Sequence, residues 1–160
     1  MNSQTPFYIA LSLLGGILIP ISAALSGEMG RTLGNPVVAA VLTVAGAFLM
    51  ILAYSLATGS MAGLGFGALA RLPALQWLAG LGVAFYLLSI TYVGPRFGVG
   101  NAIMLVVAAQ IVSSAAIDQF GLFGAPQKPI DALRAFGLFI MVVGVVIAQY
   151  AATHAKPVSH

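Results

Sequence analysis

Residues Pro36–Ala57 read PVVAAVLTVAGAFLMILAYSLA, 22 residues without one charged side chain. Crossing a hydrocarbon layer of roughly 30 Å takes about 20 helical residues. The run lacks the alternation of polar and apolar positions that a membrane β-strand would carry. It opens on Pro36 after Asn35, and proline at a first helical position gives up only an N–H that would have no partner there. The stretch predicts a membrane-spanning helix.

Four further runs share its character: Phe7–Gly27, Ala74–Val93, Val99–Asp118 and Asp131–Ala151. The expected fold is an all-α integral membrane protein with five transmembrane helices, one transmembrane domain over residues 1–160 with a polar tail at 152–160. Gly94-Pro95-Arg96-Phe97-Gly98 reads as a tight turn between the third and fourth spans, and residues 121–129 separate the fourth from the fifth. The longest connection, residues 58–73, is glycine-rich with one charge, Arg71. No connection could build a core of its own, so function must reside in the helices. The first span lacks a basic n-region and exceeds the 7–15 apolar residues of a signal core, so it is expected to stay as a membrane helix.

Composition agrees. Of 160 residues 61% are apolar and 6% charged, against about 25% charged in soluble domains. The net charge of +3 comes from six cations scattered singly, which cannot track a nucleic-acid backbone. Cysteine is absent, which removes disulfide and thiolate chemistry and Cys-bearing metal sites. His154 and His160 both fall in the tail. With no paired-carboxylate site, nucleophile–base pair, metal cluster or phosphate loop, neither enzyme activity nor a metal or cofactor is expected. Gly63-Leu-Gly-Phe-Gly67 has no strand before it and no Lys-Ser/Thr after it, and reads as a linker.

Lysine and arginine near the helix ends normally set orientation. With five spans, Arg71, Lys128 and Arg134 fall on one face, and Arg31, Arg96 and Lys156 on the other. A chain so balanced has no strong preferred orientation. Two copies inserted oppositely would reproduce the inverted-repeat plan of many transporters, so dual topology and an antiparallel homodimer are expected. Small residues that let backbones approach in lipid recur as Ala39, Thr43 and Ala47, as Gly80 and Ala84, and as Gly137, Gly144 and Ala148. Packing within one chain would use the same residues.

Polar groups in hydrocarbon are costly and tend to face an interior or a cavity. Gln110, Ser114 and Asp118 recur every four residues on one helical face, with Ser113 beside them. They read either as a substrate pathway with Asp118 at its mouth, or as a helix tie with Asp118 capping a turn. Glu28 lies roughly 31 Å along the first helix from Phe7, where it can couple protons or ions, or pair at the surface with Arg31. Pro20 can kink the first span and free carbonyls. Tyr86 is deep enough to face a cavity, whereas Trp77, Tyr92 and Tyr54 sit near span ends, as an aromatic belt would. Arg96, in the short turn, is a candidate contact for an anionic substrate or a lipid phosphate, or simply marks the interface.

Pro73, Gly80-Leu81-Gly82, Pro95-Arg96-Phe97-Gly98, Gln110, Ile117-Asp118-Gln119-Phe120-Gly121, Gly124, Pro129, Arg134 and Gly137 together resemble the YdcZ family of the drug/metabolite transporter superfamily. Gly30-Arg31-Thr32-Leu33-Gly34-Asn35-Pro36 extends the likeness over nearly the whole chain. Ser26 stands where the family is expected to carry asparagine, and it joins Gln110, Ser113, Ser114 and Tyr86 as a candidate pathway residue. The end of the fifth span, Gly137-Leu138 and Gly144-Val145, is similar to the dimerising helix of small multidrug resistance proteins. The resemblance implies a dimer contact through Gly137, Gly144 and Ala148, and larger relatives with ten helices in two inverted halves.

The resulting expectation is a multi-pass protein of the bacterial inner membrane. It would be a secondary active transporter of a small organic solute, working by alternating access as a dual-topology homodimer. The first four helices would surround the cavity, and its partners would be a second copy, a small-molecule substrate and the bilayer. Two rivals stand beside it: a flippase for a lipid-linked head group, and a non-transporting subunit of a membrane complex. Mid-span carboxylates are absent, so a neutral, anionic or amphipathic solute, or coupling through Glu28 or Asp118, stands beside cation efflux.

Overall fold

A computed structural model describes residues 4–154; Lys156 and His160 lie outside them. The described chain is helical without strands, and five helical stretches are long and apolar enough to cross a membrane. In order these are α1 (Thr5–Thr32), α2 (Pro36–Ala57), the short α3 (Phe66–Ala70), α4 (Ala74–Trp77), α5 (Ala79–Phe97), α6 (Val99–Phe120), a 3-10 turn (Leu122–Gly124) and α7 (Ala132–His154). The third membrane stretch, Ala74–Phe97, joins α4 and α5 across an interruption at Leu78. The chain divides into two compact units, one through Val99 and one from Gly100.

Local chemistry sets the helix ends. α1 runs beyond its apolar stretch to Thr32 and carries Arg31 in its last turn, where a cation meets the negative end of the helix dipole. Gly34 then turns the chain with φ +64, a conformation that a Cβ makes costly. Asn35 caps α2, its Oδ1 accepting from the N–H groups of Val37 at 3.0 Å and Val38 at 3.2 Å. Where a turn over Gly94–Gly98 was expected, α5 continues through Gly94 and Pro95 to Phe97, and the break falls at Gly98, with φ +92. Proline already holds a helical φ, so Pro95 removes one hydrogen bond without ending the helix.

In the first unit α1, α2 and α5 pack against one another. Their shared core is small: Ala23, Ser26, Gly27 and Gly30 from α1, Ala39 and Ala40 from α2, Ile90, Thr91 and Gly94 from α5. A Cβ on Gly27 would lie 3.2 Å from Cγ of Pro95, and one on Gly30 would lie 3.3 Å from the Pro36 Cα. Close approach of this kind is how helices gain packing energy in a solvent as apolar as their side chains. At the centre sits a hydroxyl node. Ser26 Oγ and Thr91 Oγ1 are 2.8 Å apart, and the Thr43 hydroxyl reaches both Ser26 Oγ at 3.0 Å and the Ala39 carbonyl at 2.8 Å. Ser26 and Thr91 are each 1% exposed.

The second unit is organised around the α6–α7 connection. The Ile130 N–H donates to Gln119 Oε1 at 2.6 Å, Gln127 Nε2 donates to the Gln119 carbonyl at 3.1 Å, and the Lys128 N–H donates to the Asp118 carbonyl at 2.8 Å. Asp131 caps α7 by accepting from the Arg134 N–H at 2.6 Å. No residue in the membrane stretch of α7 is buried within the chain.

The node and the glycine contact give two expectations. Thr91→Val should lower stability by roughly 1 kcal/mol, the usual size of an interhelical hydrogen bond in a membrane. Gly30→Leu should cost about 2–3 kcal/mol by overpacking against backbone. Both are read from unfolding of the purified protein in mixed micelles; an unchanged Thr91→Val would remove the node from the helix contact.

Candidate functional site

The candidate residues fall into four places. The first is a cleft of about 340 Å³ at one end of the first unit, lined by Gly27, Gly30, Arg31, Gly34, Pro36, Thr91, Pro95 and Arg96. The ends of α1 and α5 and the start of α2 bring Arg31 and Arg96 to it, Gly27 and Gly30 let the helices close behind it, and a Cβ on Gly34 would meet nothing within 4 Å. Arg96 Nη1 donates to the Tyr92 carbonyl at 2.7 Å, and the guanidinium lies 3.8 Å from the Tyr92 ring centroid, a cation–π contact that fixes its direction. Arg31 forms an ion pair with Glu28, both side chains being more than half exposed. Two arginines against one glutamate leave a positive cleft suited to an anionic group. Arg96 stands out in the sequence by its place between Pro95 and Phe97; nothing in the sequence joins Arg31 to it in one site.

The second place is the α6 stripe. Gln110, Ser113 and Ser114 are all exposed. Ser114 Oγ donates back to the Ile111 carbonyl at 3.0 Å, while the Gln110 amide makes no hydrogen bond to a described residue. It stands near the middle of a membrane helix that runs from Val99 to Phe120, where an unpaired amide facing hydrocarbon is costly.

The third is Asp118, at the end of that stripe. Its Oδ2 accepts from Arg134 Nη2 at 2.5 Å, with the two side chains about one-third exposed. Arg134 also reaches the Lys128 carbonyl at 3.3 Å. The carboxylate thus ties α6 to the start of α7, a contact that a turn-capping or pathway-mouth reading does not foresee. An acid closing one span and a base opening the next was the available signal.

The fourth place is two isolated positions. Ser26 lies inside the node described above, buried and with its hydroxyl satisfied. Tyr86, half-buried in α5, has a buried hydroxyl with no partner among the described residues, so it can accept one from outside the chain. On α7, Gly137, Gly144 and Ala148 are exposed, and a Cβ on either glycine would meet nothing within 4 Å. Thr91 is the core polar residue that sequence reading missed, because a threonine between Ile90 and Tyr92 looks like any other β-branched helix position.

Asp118→Asn and Arg134→Gln should each lower stability by about 1 kcal/mol or less, as expected of a partly exposed pair. The double variant should cost no more than the larger single one. A double-mutant cycle in the same micelles measures the coupling, and strict additivity would mean that the two groups do not interact.

The family model described as "Putative inner membrane exporter, YdcZ" matches residues 7–147. Neither a curated protein nor a solved structure matches the chain. The match reaches into all five membrane stretches and contains the arginine cleft, the α6 stripe and the Asp118–Arg134 pair, and the chain belongs to the YdcZ family, a multi-pass protein of the inner membrane.

Proposed function

We propose that the protein is a secondary active transporter that moves a small organic solute across the inner membrane, working as an antiparallel, dual-topology homodimer. The observation that carries this reading is the α6 stripe. Gln110 and its serines are exposed on the second unit, Gln110 near mid-span, and in a bilayer such a surface calls for a second protein copy or a water-filled path. A dimer supplies both, with the stripe facing a shared cavity. The exposed face of α7, with Ala148 exposed and nothing within 4 Å of a Cβ added at Gly137 or Gly144, supplies a close-contact surface of the small-residue type.

The even division of cations supports opposite insertion of the two copies, and inverted copies can exchange conformations so that the cavity opens alternately to either side. Family membership favours transport over an enzyme or a passive subunit. In this reading Gln110 and Tyr86 bind solute through hydrogen bonds. Glu28 and Asp118, each already paired with an arginine, can contribute to coupling only by leaving that partner. A substrate anion that claims one of these arginines frees its carboxylate for that role.

The absence of cysteine makes the topology test direct. Ser60→Cys, in the exposed α2–α3 connection, is labelled in intact cells with a membrane-impermeant maleimide and again after permeabilisation. About half of the copies should be protected in intact cells, as the balanced cation count requires; labelling entirely on one side excludes the dual-topology dimer. Gly144→Leu should abolish the crosslink of a cysteine pair placed along α7, and a retained crosslink takes that helix out of the interface. Gln110→Leu should stop solute flux in liposomes while the dimer persists.

A further inference from the structure

The arginine cleft does not end at the helix termini. Pro36 lines both it and an adjoining apolar depression with Val37, Phe85, Leu88, Ser89 and Tyr92. Val37 and Leu88 in turn border a longer groove between α2 and α5, of about 510 Å³, floored by Ala40, Ala45 and Ala84 and reaching Phe48. The three spaces form one track on a face of the first unit, cationic at the helix ends and apolar along its length.

The dimensions match one leaflet of a membrane. From Val37 to Phe48 the helix rises about 16 Å, and half of a hydrocarbon layer of roughly 30 Å is about 15 Å. Arg31 and Arg96 stand at helix ends, at the level of lipid head groups. Each spends one N–H on a partner in the chain, out of five donors on a guanidinium. The small side chains of Ala40, Ala45 and Ala84 leave a depression where most membrane helices would present bulk.

We infer that this track is a binding site for one anionic phospholipid, its phosphate held by Arg31 and Arg96 and one acyl chain lying in the α2–α5 groove. The site needs neither transport nor a second copy, so it stands or falls separately from the function proposed above. Glu28, paired with Arg31, keeps the cleft at a net single positive charge, which selects anionic over zwitterionic head groups.

The test uses the purified chain in detergent micelles, with lipid binding followed by native mass spectrometry and by thermal unfolding. Dioleoyl phosphatidylglycerol should bind and raise the unfolding temperature, whereas dioleoyl phosphatidylcholine, inorganic phosphate and dihexanoyl phosphatidylglycerol should do so far less. The double variant R31Q/R96Q should weaken phosphatidylglycerol roughly thirtyfold, in line with the attraction of two arginines to anionic lipid. Ala45→Phe, which fills the groove, should weaken it without altering the fold. Equal binding of phosphatidylcholine, or full binding by the double variant, overturns the head-group assignment. Phosphate as effective as the long-chain lipid identifies a free-anion site and overturns the lipid. The chain-length comparison requires no substitution, so it decides the tail placement even if Ala45→Phe fails to fold.

Discussion

Between α1, α2 and α5 the contact is made by alanine, glycine, serine and threonine, and the backbones come within reach of one another's atoms. Lipid tails are as apolar as leucine, so burying large side chains would bring little net gain there. What remains is dispersion at short range and the sharing of a few hydroxyl hydrogens. Ser26, Thr43 and Thr91 supply those hydrogens, each joining a different helix. The cleft at the end of the unit and the groove along its face both follow from this contact. Their walls are the small residues that permit it, and their arginines are placed by the helix ends that it fixes.

The same economy governs polar groups away from the core. Asp118 and Arg134 neutralise each other across a connection that is itself tied down by Gln119 and Gln127. Glu28 and Arg31 do so within one helix turn. Gln110 and the Tyr86 hydroxyl differ, because nothing described in the chain completes them. In hydrocarbon such groups mark the places where something else must arrive.

Much of the fold was legible because a bilayer imposes length and apolarity on every span. Pro36–Ala57 could be bounded to the residue, since Asn35-Pro36 is a start signal that reads the same in any solvent. The ends of α1 and α5 were harder. Arg31 and Arg96 interrupt apolarity without interrupting the helix, and Pro95 is helical despite its usual meaning. The candidate site was legible where a residue is chemically conspicuous, as with Gln110, Arg96 and Asp118. It was hidden where the role is relational. Thr91 matters because it meets Ser26, and Arg31 because it faces the same cleft as Arg96; neither relation has a fixed spacing in the chain.

The interruption at Leu78 bears on how the protein is made. Ala74–Phe97 is the least apolar of the five stretches, and α2 the most. A nascent segment partitions into the bilayer according to its own transfer free energy, with polar residues near its centre opposing insertion. Ser89 and Thr91 both lie in this stretch, and Thr91 finds its hydroxyl partner on Ser26, a residue synthesised earlier. The third span therefore has waiting for it a polar acceptor held by two helices that partition more readily on their own. The segment least able to enter lipid alone is thus made after the helix that carries its hydroxyl partner.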